Sequence, residues 1–581
     1  MDIYKFKPVP AHTNFQLPFE LTRKDFSVWL HSLENSSANE RAHQIFLAIQ
    51  SINISNKLAI EKKSLLLIDI YQAISLSLEP LKNNLLNSAL PLTPEEQSGA
   101  EYIIWTYTEL ANGFASCISK KSNTTNAQTF FYGLQSLITA YLHISEIYEM
   151  PYANFWKQSY LFFGLASKLE IQDLAIKAHN KHSNTTSKAF KHLLALYHCD
   201  LHQFRPRAML HISTCVEKYT SLTLLDKKFD PKKPMLYSGL DLNSDTPPSN
   251  LKRLKQTEKS AFYFFSGFNA AISINQNVND EAQGSGIIKS INRELIQQAS
   301  KSLSLQQKRQ FTRIVEKKEQ YGIMGLANTI QLLRTDSPLT PPQPTANNKK
   351  NQTSGGWSVP DLELVSEGFE TLFTMKEQLN HASFTTNSPN ITKQIKQVFH
   401  ANNKKFSDNT IWSNSGIDEP SENTRETKLA IADSSIKGYK IIFNTENNNS
   451  KIQIGDIIGI KHNDTVEIGL IRRVLQHTKH RIQVGIKLLS LESELAYISL
   501  PDHDSIYTWA LFLSGIKQLD AADSLVFYDN NFQCGELIKV HRANQAPYTC
   551  RLQKLLHLSP AATHIQLSNA SVIDKPKKTK I

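Results

Sequence analysis

Three residues that can hold a polar ligand stand together near the start of a β-rich part of the sequence. The stretch IADSSIKGYKIIF contains Asp433, Ser435 and Gly438 in the pattern D-x-S-x-x-G. If this stretch is a strand, Asp433 and Ser435 lie on the same face. A carboxylate there could accept from the N1–H and N2–H2 groups of a guanine, and the hydroxyl could contact a phosphate or a base edge. Glycine would allow a close backbone approach. All three residue types also form turns, so an ordinary turn is the alternative interpretation.

A second candidate is a pair of arginines four positions apart. Arg309 and Arg313 form the pattern R-x-x-x-R in the segment RQFTR. Guanidinium groups grip phosphates through two parallel hydrogen bonds or stack on purine rings. The same spacing is common on solvated helix faces, which is the alternative interpretation of this pair.

The sequence from Lys428 onward predicts short strands. The segments KIQIGDIIGIKH, VEIGLIRRVLQ and RIQVGIKLLS are rich in Ile and Val and are punctuated by Gly, Asp and Asn. Glycine inside several strands indicates the bends of a small closed barrel. A second β-rich block follows, with YTWALFLSG, DSLVFY and ELIKVHR. It carries neither polar pattern, so we expect it to have a structural role.

From about residue 20 to 300 the apolar residues recur at helical spacing. Thr93 is the predicted N-cap of one helix, because Pro and two Glu residues follow it directly. The apolar residues of that helix recur at steps of four, three and four: Ile103, Tyr107, Leu110 and Phe114. Several such helices joined by short polar turns predict a bundle. The segment SAFYFFSGFNAAISI fits either a strand or a buried helix.

The expected fold is multidomain, with an N-terminal all-α helical bundle, a small β-barrel and a second β-rich module. Between the arginine pair and the acid pattern, Pro, Asn, Ser and Thr dominate and large apolar residues are sparse. Such a stretch buries too little surface to offset its ordering entropy, so we expect mostly disorder there. The predicted boundaries are 1–300 for the helical domain, 301–333 for a linker and the first barrel strand with R-x-x-x-R, 334–411 for the insertion, 412–495 for the barrel, 496–570 for the second β-rich module and 571–581 for a charged tail.

Charge and composition narrow the class of partner. The chain has 581 residues, and 64 Lys and Arg against 53 Asp and Glu give a formal net charge of +11. This excess favours partners that carry phosphate. The charge is spread without a basic arm, and the aromatic marks of RNA-binding modules are missing, so nucleic acid is not the expected partner.

Several kinds of site and compartment are excluded by missing patterns. Five scattered cysteines without a C-x-x-C pair argue against a zinc site or a disulfide frame and favour a reducing compartment. The N-terminus has no signal-peptide pattern, and no apolar run approaches the roughly 18 residues of a membrane span. We therefore expect a cytoplasmic protein. No P-loop, G-x-S-x-G, H-E-x-x-H or dinucleotide fingerprint is found, so we expect neither an enzyme nor a bound metal or cofactor.

Taken together, the two polar patterns and the strands after them resemble the PilZ domain family. PilZ domains are small bacterial β-barrels, and many bind the second messenger cyclic di-GMP. Their signature is R-x-x-x-R just before or entering the first strand, then D/N-x-S-x-x-G on a following strand. Here Arg309 and Arg313 match the first part, and Asp433, Ser435 and Gly438 match the second.

The resemblance implies a nucleotide-binding protein of bacterial signal transduction, with cyclic di-GMP as its ligand. Arg309 and Arg313 would clamp phosphate and guanine, and Asp433 and Ser435 would fix the base. It further implies a receptor or adaptor whose ligand rearranges the helical region relative to the barrel. The helical region would then pass the signal to an unidentified protein partner.

The spacing of the two motifs departs from the family pattern. Arg313 and Asp433 are 120 positions apart, so one shared site would place the insertion inside the barrel. Closing so long a loop costs only about a few kcal/mol more, because the penalty grows logarithmically. The alternative is a degenerate PilZ-like scaffold that binds proteins without nucleotide. In that case Arg425 and Lys428 would lie nearest to the acid pattern and the arginine pair would be unrelated.

Overall fold

A computed structural model describes most of the chain outside the predicted insertion. The described residues are 17–55, 58–118, 123–176, 184–251, 262–280, 287–304, 312–335, 337–340, 426–446, 450–462, 465–501, 503–516, 521–528, 532, 534–559 and 562–568. Most of the predicted insertion at 334–411, the whole predicted tail at 571–581, Arg309 and Arg425 lie outside them.

The chain divides into two compact units, each built from separate stretches. Unit 1 is Met1–Tyr321, Lys428–Asp456 and Gly469–Leu489, and unit 2 is Gly322–Thr427, Ile457–Ile468 and Ser490–Ile581. Both polar patterns belong to unit 1.

Helices make up most of the described chain before residue 335. They are α1 (Arg23–Ser32), α2 (Ala38–Ile54), α3 (Ile60–Ser77), α4 (Glu79–Leu86), α5 (Pro94–Ser116), α6 (Asn123–Glu146), α7 (Phe155–Lys168), α8 (Thr186–Cys199), α9 (Pro206–Tyr219), α10 (Phe268–Asp280), α11 (Ile287–Leu303) and α12 (Leu326–Thr335). Across the described residues no single helix has the length and apolar character needed to cross a bilayer, although α3 and α4, which meet at a bend of 52°, meet that test as a pair.

Helix α5 begins and packs as its sequence predicts. The Thr93 hydroxyl accepts from the Glu96 amide at 3.2 Å, and the Glu96 carboxylate accepts from the Thr93 amide at 2.7 Å. This capping box satisfies amides that the first turn leaves without helical partners. The predicted apolar face is at most 2% exposed, at Ile103, Tyr107, Leu110 and Phe114. The predicted start and buried face of α5 are therefore confirmed.

A small sheet interrupts the helical region. Its strands are β1 (Leu224–Asp226), β2 (Ser238–Asp241), β3 (Ser249–Asn250) and β4 (Phe262–Ser266), in the order β1-β4-β2-β3. The segment that fitted either a strand or a helix contains both, because β4 ends at Ser266 and α10 begins at Phe268. The aromatic run of β4 is largely buried, which suits a strand, and the region is mainly rather than wholly helical.

Two closed six-stranded barrels follow. The first contains β5 (Ile314–Met324), β6 (Thr427–Ser435), β7 (Gly438–Asn444), β8 (Ile457–His462), β9 (Thr465–Thr478) and β10 (Arg481–Ser490), in the order β10-β7-β6-β5-β8-β9. The second contains β11 (Ser493–Leu500), β12 (His503–Leu513), β13 (Ser524–Phe527), β14 (Leu537–Arg542), β15 (Tyr548–Ser559) and β16 (Ala562–Leu567), in the order β11-β12-β13-β16-β15-β14. The predicted multidomain fold of helices, a barrel and a second β-rich module is confirmed.

The two barrels share one strand connectivity. When strands are counted along the chain within each barrel, the first pairs with the second, the second with the third, the third with the sixth, the sixth with the fifth, the fifth with the fourth and the fourth with the first. The second β-rich module is therefore a barrel of the same topology as the first.

Within unit 1 the helical region packs on the first barrel through polar contacts. Leu90 and Ile452 exchange two backbone hydrogen bonds of 3.1 and 2.7 Å, and the Gln476 amide donates to the Tyr148 carbonyl at 2.7 Å. Arg473 of β9 pairs with Asp200 at 2.9 Å. These contacts join the helices to β9 and to the loop before β8.

Arg205, the residue just before α9, supports a buried carboxylate in the same loop. It donates to the Ile454 carbonyl at 2.6 Å and to the Asp456 carboxylate at 3.2 Å. Burial raises the pKa of Asp456 to about 6, against the lowering effects of Arg205 and of the Gln453 amide. Since an unfolded Asp has a pKa of about 3.9, the folded protein binds more protons between about pH 4 and 6, and stability from this group falls as pH rises through that window.

We expect Arg205→Ala to destabilise the protein by about 2–3 kcal/mol at pH 8 and by less at pH 5. At pH 8 the substitution leaves the Asp456 charge without its cation, whereas at pH 5 the carboxyl can take up a proton. Melting temperatures of the variant and the parent at both pH values measure the effect. Arg205→Ala combined with Asp456→Asn is the control and should lose the pH difference. An equal loss at pH 5 and pH 8 from Arg205→Ala alone would contradict the assignment.

Candidate functional site

A β-bulge turns Asp433 toward the outside of the first barrel. Ile431 of β6 pairs with Ile441 of β7, and both are buried in the barrel. The next pair is Asp433 with Lys440, so Ala432 is the extra residue of the bulge. Directly paired residues share a face, and consecutive residues of β7 face opposite sides. Asp433 therefore lies on the outer face with Lys440, where a regular strand would have turned it inward.

The D-x-S-x-x-G pattern forms the hairpin between β6 and β7. Ser435 ends β6, residues 436–437 make the turn and Gly438 begins β7. The Ser435 hydroxyl donates to the Gly438 carbonyl at 3.2 Å. Gly438 has φ of +148°, and a Cβ atom there would lie 1.9 Å from the Ile486 carbonyl oxygen. The hairpin thus requires glycine both for its backbone conformation and for the close approach of β10.

Arg313 contacts the acid across the intervening sequence. It lies just before β5, and its guanidinium donates to the Asp433 carboxylate at 2.8 Å. The Lys440 ammonium is 3.3 Å from the other carboxylate oxygen. Asp433 is 9% exposed, whereas the Arg313 side chain is 44% exposed. The carboxylate is therefore held between two cations at the edge of the solvent.

The residues of the alternative arrangement lie elsewhere or outside the description. Lys428 pairs with Glu319 at 2.6 Å. Arg425 and Arg309 lie outside the described residues. Of the five predicted site residues, the structure groups Arg313, Asp433, Ser435 and Gly438 around one hairpin.

Two glycines lie beside the acid on the outer face, Gly438 buried and Gly485 half-buried. Lys440 pairs with Gly485 of β10, and Gly438 pairs with Lys487. A Cβ atom on Gly485 would lie 3.3 Å from the Arg473 Cβ atom. Strand β9 is therefore adjacent to β10 at Gly485, with Arg473 as the neighbouring residue. Lys440 and Lys487 were not among the site residues predicted from the sequence. Lys440 could have been found, because it follows Gly438 by two positions and alternation puts both on one face. Lys487 needs the register between β7 and β10.

The described residues give no sign of a metal centre. No group of three or more His, Cys, Asp or Glu side chains in this part of the chain is arranged to hold an ion. All five cysteines are free thiols.

Comparison with known families identifies two adjoining parts of the chain, which together cover most of it before residue 495. Residues 24–230 match the N-terminal domain of the cyclic-di-GMP receptor FimW, and residues 240–494 match the middle PilZ domain of the same receptor. The chain belongs to the cyclic-di-GMP receptor FimW family. No curated protein and no solved structure matches it.

Membership of the FimW family confirms the PilZ resemblance found in the two short polar patterns. The matched PilZ region spans both patterns and everything between them, as expected if the long segment is part of that domain. Helices α1 to α9, which the sequence alone described only as part of a bundle, lie in the match to the N-terminal domain, whereas α10 to α12 lie in the match to the PilZ domain. FimW is a receptor family and not an enzyme family.

We expect Gly438→Ala to open the hairpin of this FimW-family protein. The new Cβ atom adds about 1–2 kcal/mol of backbone strain and about 1–3 kcal/mol of overlap with the Ile486 carbonyl. The Leu488 amide, which donates to the Lys437 carbonyl at 2.9 Å, should then exchange its hydrogen at least about 30-fold faster.

Gly535→Ala is the matched control for this experiment. Gly535 has φ of +99°, but nothing lies within 4 Å of the added Cβ atom. Exchange at the neighbouring Leu552 amide should rise by no more than about tenfold, from strain alone. Equal effects of the two substitutions would mean that the contact with Ile486 is unimportant.

Proposed function

We propose that the chain binds cyclic di-GMP on the outer face of the first barrel. The ligand-binding residues would be Arg313, Asp433, Ser435 and Gly438, together with Arg309 on the strength of the R-x-x-x-R pattern. The observation that carries this proposal is the 2.8 Å hydrogen bond between Arg313 and Asp433, residues 120 positions apart. The ligand is the one named for the receptor family to which the chain belongs.

The chemistry of these side chains suits both parts of the ligand. Cyclic di-GMP presents two phosphodiester groups and two guanines. The Arg313 guanidinium can donate in parallel to a phosphate or to guanine O6 and N7. The Asp433 carboxylate can accept from guanine N1–H and N2–H2, and the Ser435 hydroxyl can donate to an oxygen. Gly438 would contribute by allowing the close approach of β10 that shapes the hairpin.

The Arg313–Asp433 pair would hold both groups in place before the ligand arrives. Side chains that are already ordered lose less conformational entropy on binding. In the bound state Arg313 would share its N–H donors between Asp433 and the ligand, which would weaken the ion pair. The free energy gained from the ligand contacts would therefore be reduced by the free energy lost from that pair. The exposed guanidinium, with 44% of its side chain accessible, can make this exchange without unfolding its surroundings.

The proposed role is that of a cytoplasmic receptor or adaptor that passes a signal through its helical region. The chain between α11 and β5 contains Arg309 and ends at Arg313. A ligand that binds this connection would change how the helical region sits on the barrel, and a protein partner would respond to that change. The free thiols agree with a reducing compartment.

The rival proposal is a degenerate scaffold that binds proteins without nucleotide. It draws support from the two cations already on Asp433, at 2.8 and 3.3 Å, because such pairs can serve the hairpin alone. The two proposals differ in whether the ligand binds at all.

Isothermal titration calorimetry with cyclic di-GMP tests the choice. We expect micromolar or tighter binding by the parent protein and a loss of about 2–3 kcal/mol, or roughly 30- to 150-fold, in Arg313→Ala. Arg313→Lys should fall between them, since it keeps the charge and loses the planar fork. Arg481→Ala, at another exposed arginine of the same barrel, is the control and should bind normally. No heat from the parent at tens of micromolar ligand would favour the scaffold.

Hydrogen exchange tests the rearrangement separately from binding. If the ligand shifts the helical region on the barrel, the amides of Leu90, Ile452 and Gln476 should lose protection, because their hydrogen bonds cross that contact. The Thr445 amide, which donates within the barrel to the His480 carbonyl at 3.0 Å, should keep its protection as a control. Unchanged exchange at all four amides under saturating ligand would reject the rearrangement and leave binding intact.

A further inference from the structure

A lysine outside the PilZ signature lies beside the proposed site. Lys487 of β10 pairs directly with Gly438, so its side chain stands on the outer face next to a residue that has none. From Asp433 it is two strands and two residues away, which corresponds to about 12 Å between Cα atoms at about 4.8 Å per strand and 3.3 Å per residue. The glycines of β7 and β10 lie between the two residues.

Helix α11 places a carboxylate in the neighbourhood of this lysine. Gln298 of α11 accepts from the Arg472 guanidinium of β9 at 2.9 Å, which fixes the helix against the barrel. Glu294 is one turn earlier on the same helix face. It therefore approaches the barrel beside Arg472, and its charge acts on both Arg472 and Lys487.

Cations outnumber this carboxylate. Lys487 remains accessible to solvent, but surrounding protein removes part of its hydration and lowers its pKa, and Arg472 and Lys437 lower it further against the opposing effect of Glu294. Burial likewise lowers the pKa of Arg472, again against Glu294. Arg472 and Lys487 share this one carboxylate, and their combined charge favours a second anion beside them.

We propose that Lys487 binds a phosphate of the ligand, and that Glu294 of α11 is the counter-charge that the phosphate replaces. This inference rests on the proposed function and adds a residue and a coupling to it. In the empty site the charge of Glu294 attracts the lysine without a direct ion pair, and in the bound site the phosphate attracts it. Binding therefore weakens an electrostatic attraction between α11 and the barrel.

The replacement links the ligand to the helical region. Helix α11 packs against α8, α9 and α10, and Gln298 donates to Gln203 at 3.1 Å. The same helix precedes the chain that carries the arginine pair. Two ends of the ligand would thus act on α11, one through Arg313 and the other through Lys487.

The test compares two substitutions with opposite expected signs, titrated with cyclic di-GMP by calorimetry. Lys487→Gln should weaken binding about tenfold, because a charge-assisted contact to phosphate is lost. Glu294→Gln should tighten binding about three- to tenfold, because the competing carboxylate is removed. Lys554→Gln, at an exposed lysine of β15, is the matched control and should leave the affinity unchanged.

The double variant Lys487→Gln/Glu294→Gln identifies the interaction. The gain from Glu294→Gln should disappear when Lys487 is absent, since the two residues act through each other. If Lys487→Gln binds as the parent does while Arg313→Ala is weakened, this inference is overturned and the proposed function stands. Weaker binding by Glu294→Gln would also overturn it. A parent protein that binds no cyclic di-GMP overturns the proposed function and this inference with it.

Discussion

The hydrogen-bonded ion pair between Arg313 and Asp433 is the contact on which the site depends. A carboxylate that is only 9% exposed is costly unless its charge is compensated, and Arg313 and Lys440 supply that compensation from two different strands or their ends. The pair does not close the long loop unaided. Strands β5 and β6 are hydrogen-bonded neighbours in the barrel, and their pairing offsets the entropic cost of closing the loop. The ion pair then only orients two side chains.

The second barrel shows how the same connectivity can lack such a site. Ser524 begins its third strand, as Gly438 does in the first barrel, and Ser524 hydrogen-bonds to His564 at 2.9 Å. Both residues are buried, and Val526 on the same face is fully buried. Leu511, paired with Val526, is fully buried too. This face is covered and largely apolar, whereas the same face of the first barrel carries the charged residues Asp433, Lys440 and Lys487, so topology alone does not determine binding.

Local signals in the sequence sufficed for some of this architecture and not for the rest. The cap at Thr93 and the buried face of α5 depend only on residues within a few turns, so they could be predicted. The outward turn of Asp433 depends on the bulge at Ala432, which exists only in relation to its partner strand. Lys487 became a neighbour of Gly438 through a pairing of strands nearly 50 residues apart. Cross-strand register of this kind is a tertiary property that no single segment encodes.

Neighbouring strands of the first barrel connect the proposed site to the helical region. Strand β7 carries Gly438, pairs with β10, and β10 is followed in the closed order by β9. Arg472 and Arg473 of β9 bind Gln298 and Asp200 of the helical region. A ligand shifts the equilibrium between two arrangements of the helices only by the difference between its binding free energies for the two arrangements. An attraction that the ligand itself replaces, as proposed for Glu294 and Lys487, would supply such a difference, whereas contacts that both arrangements keep supply none.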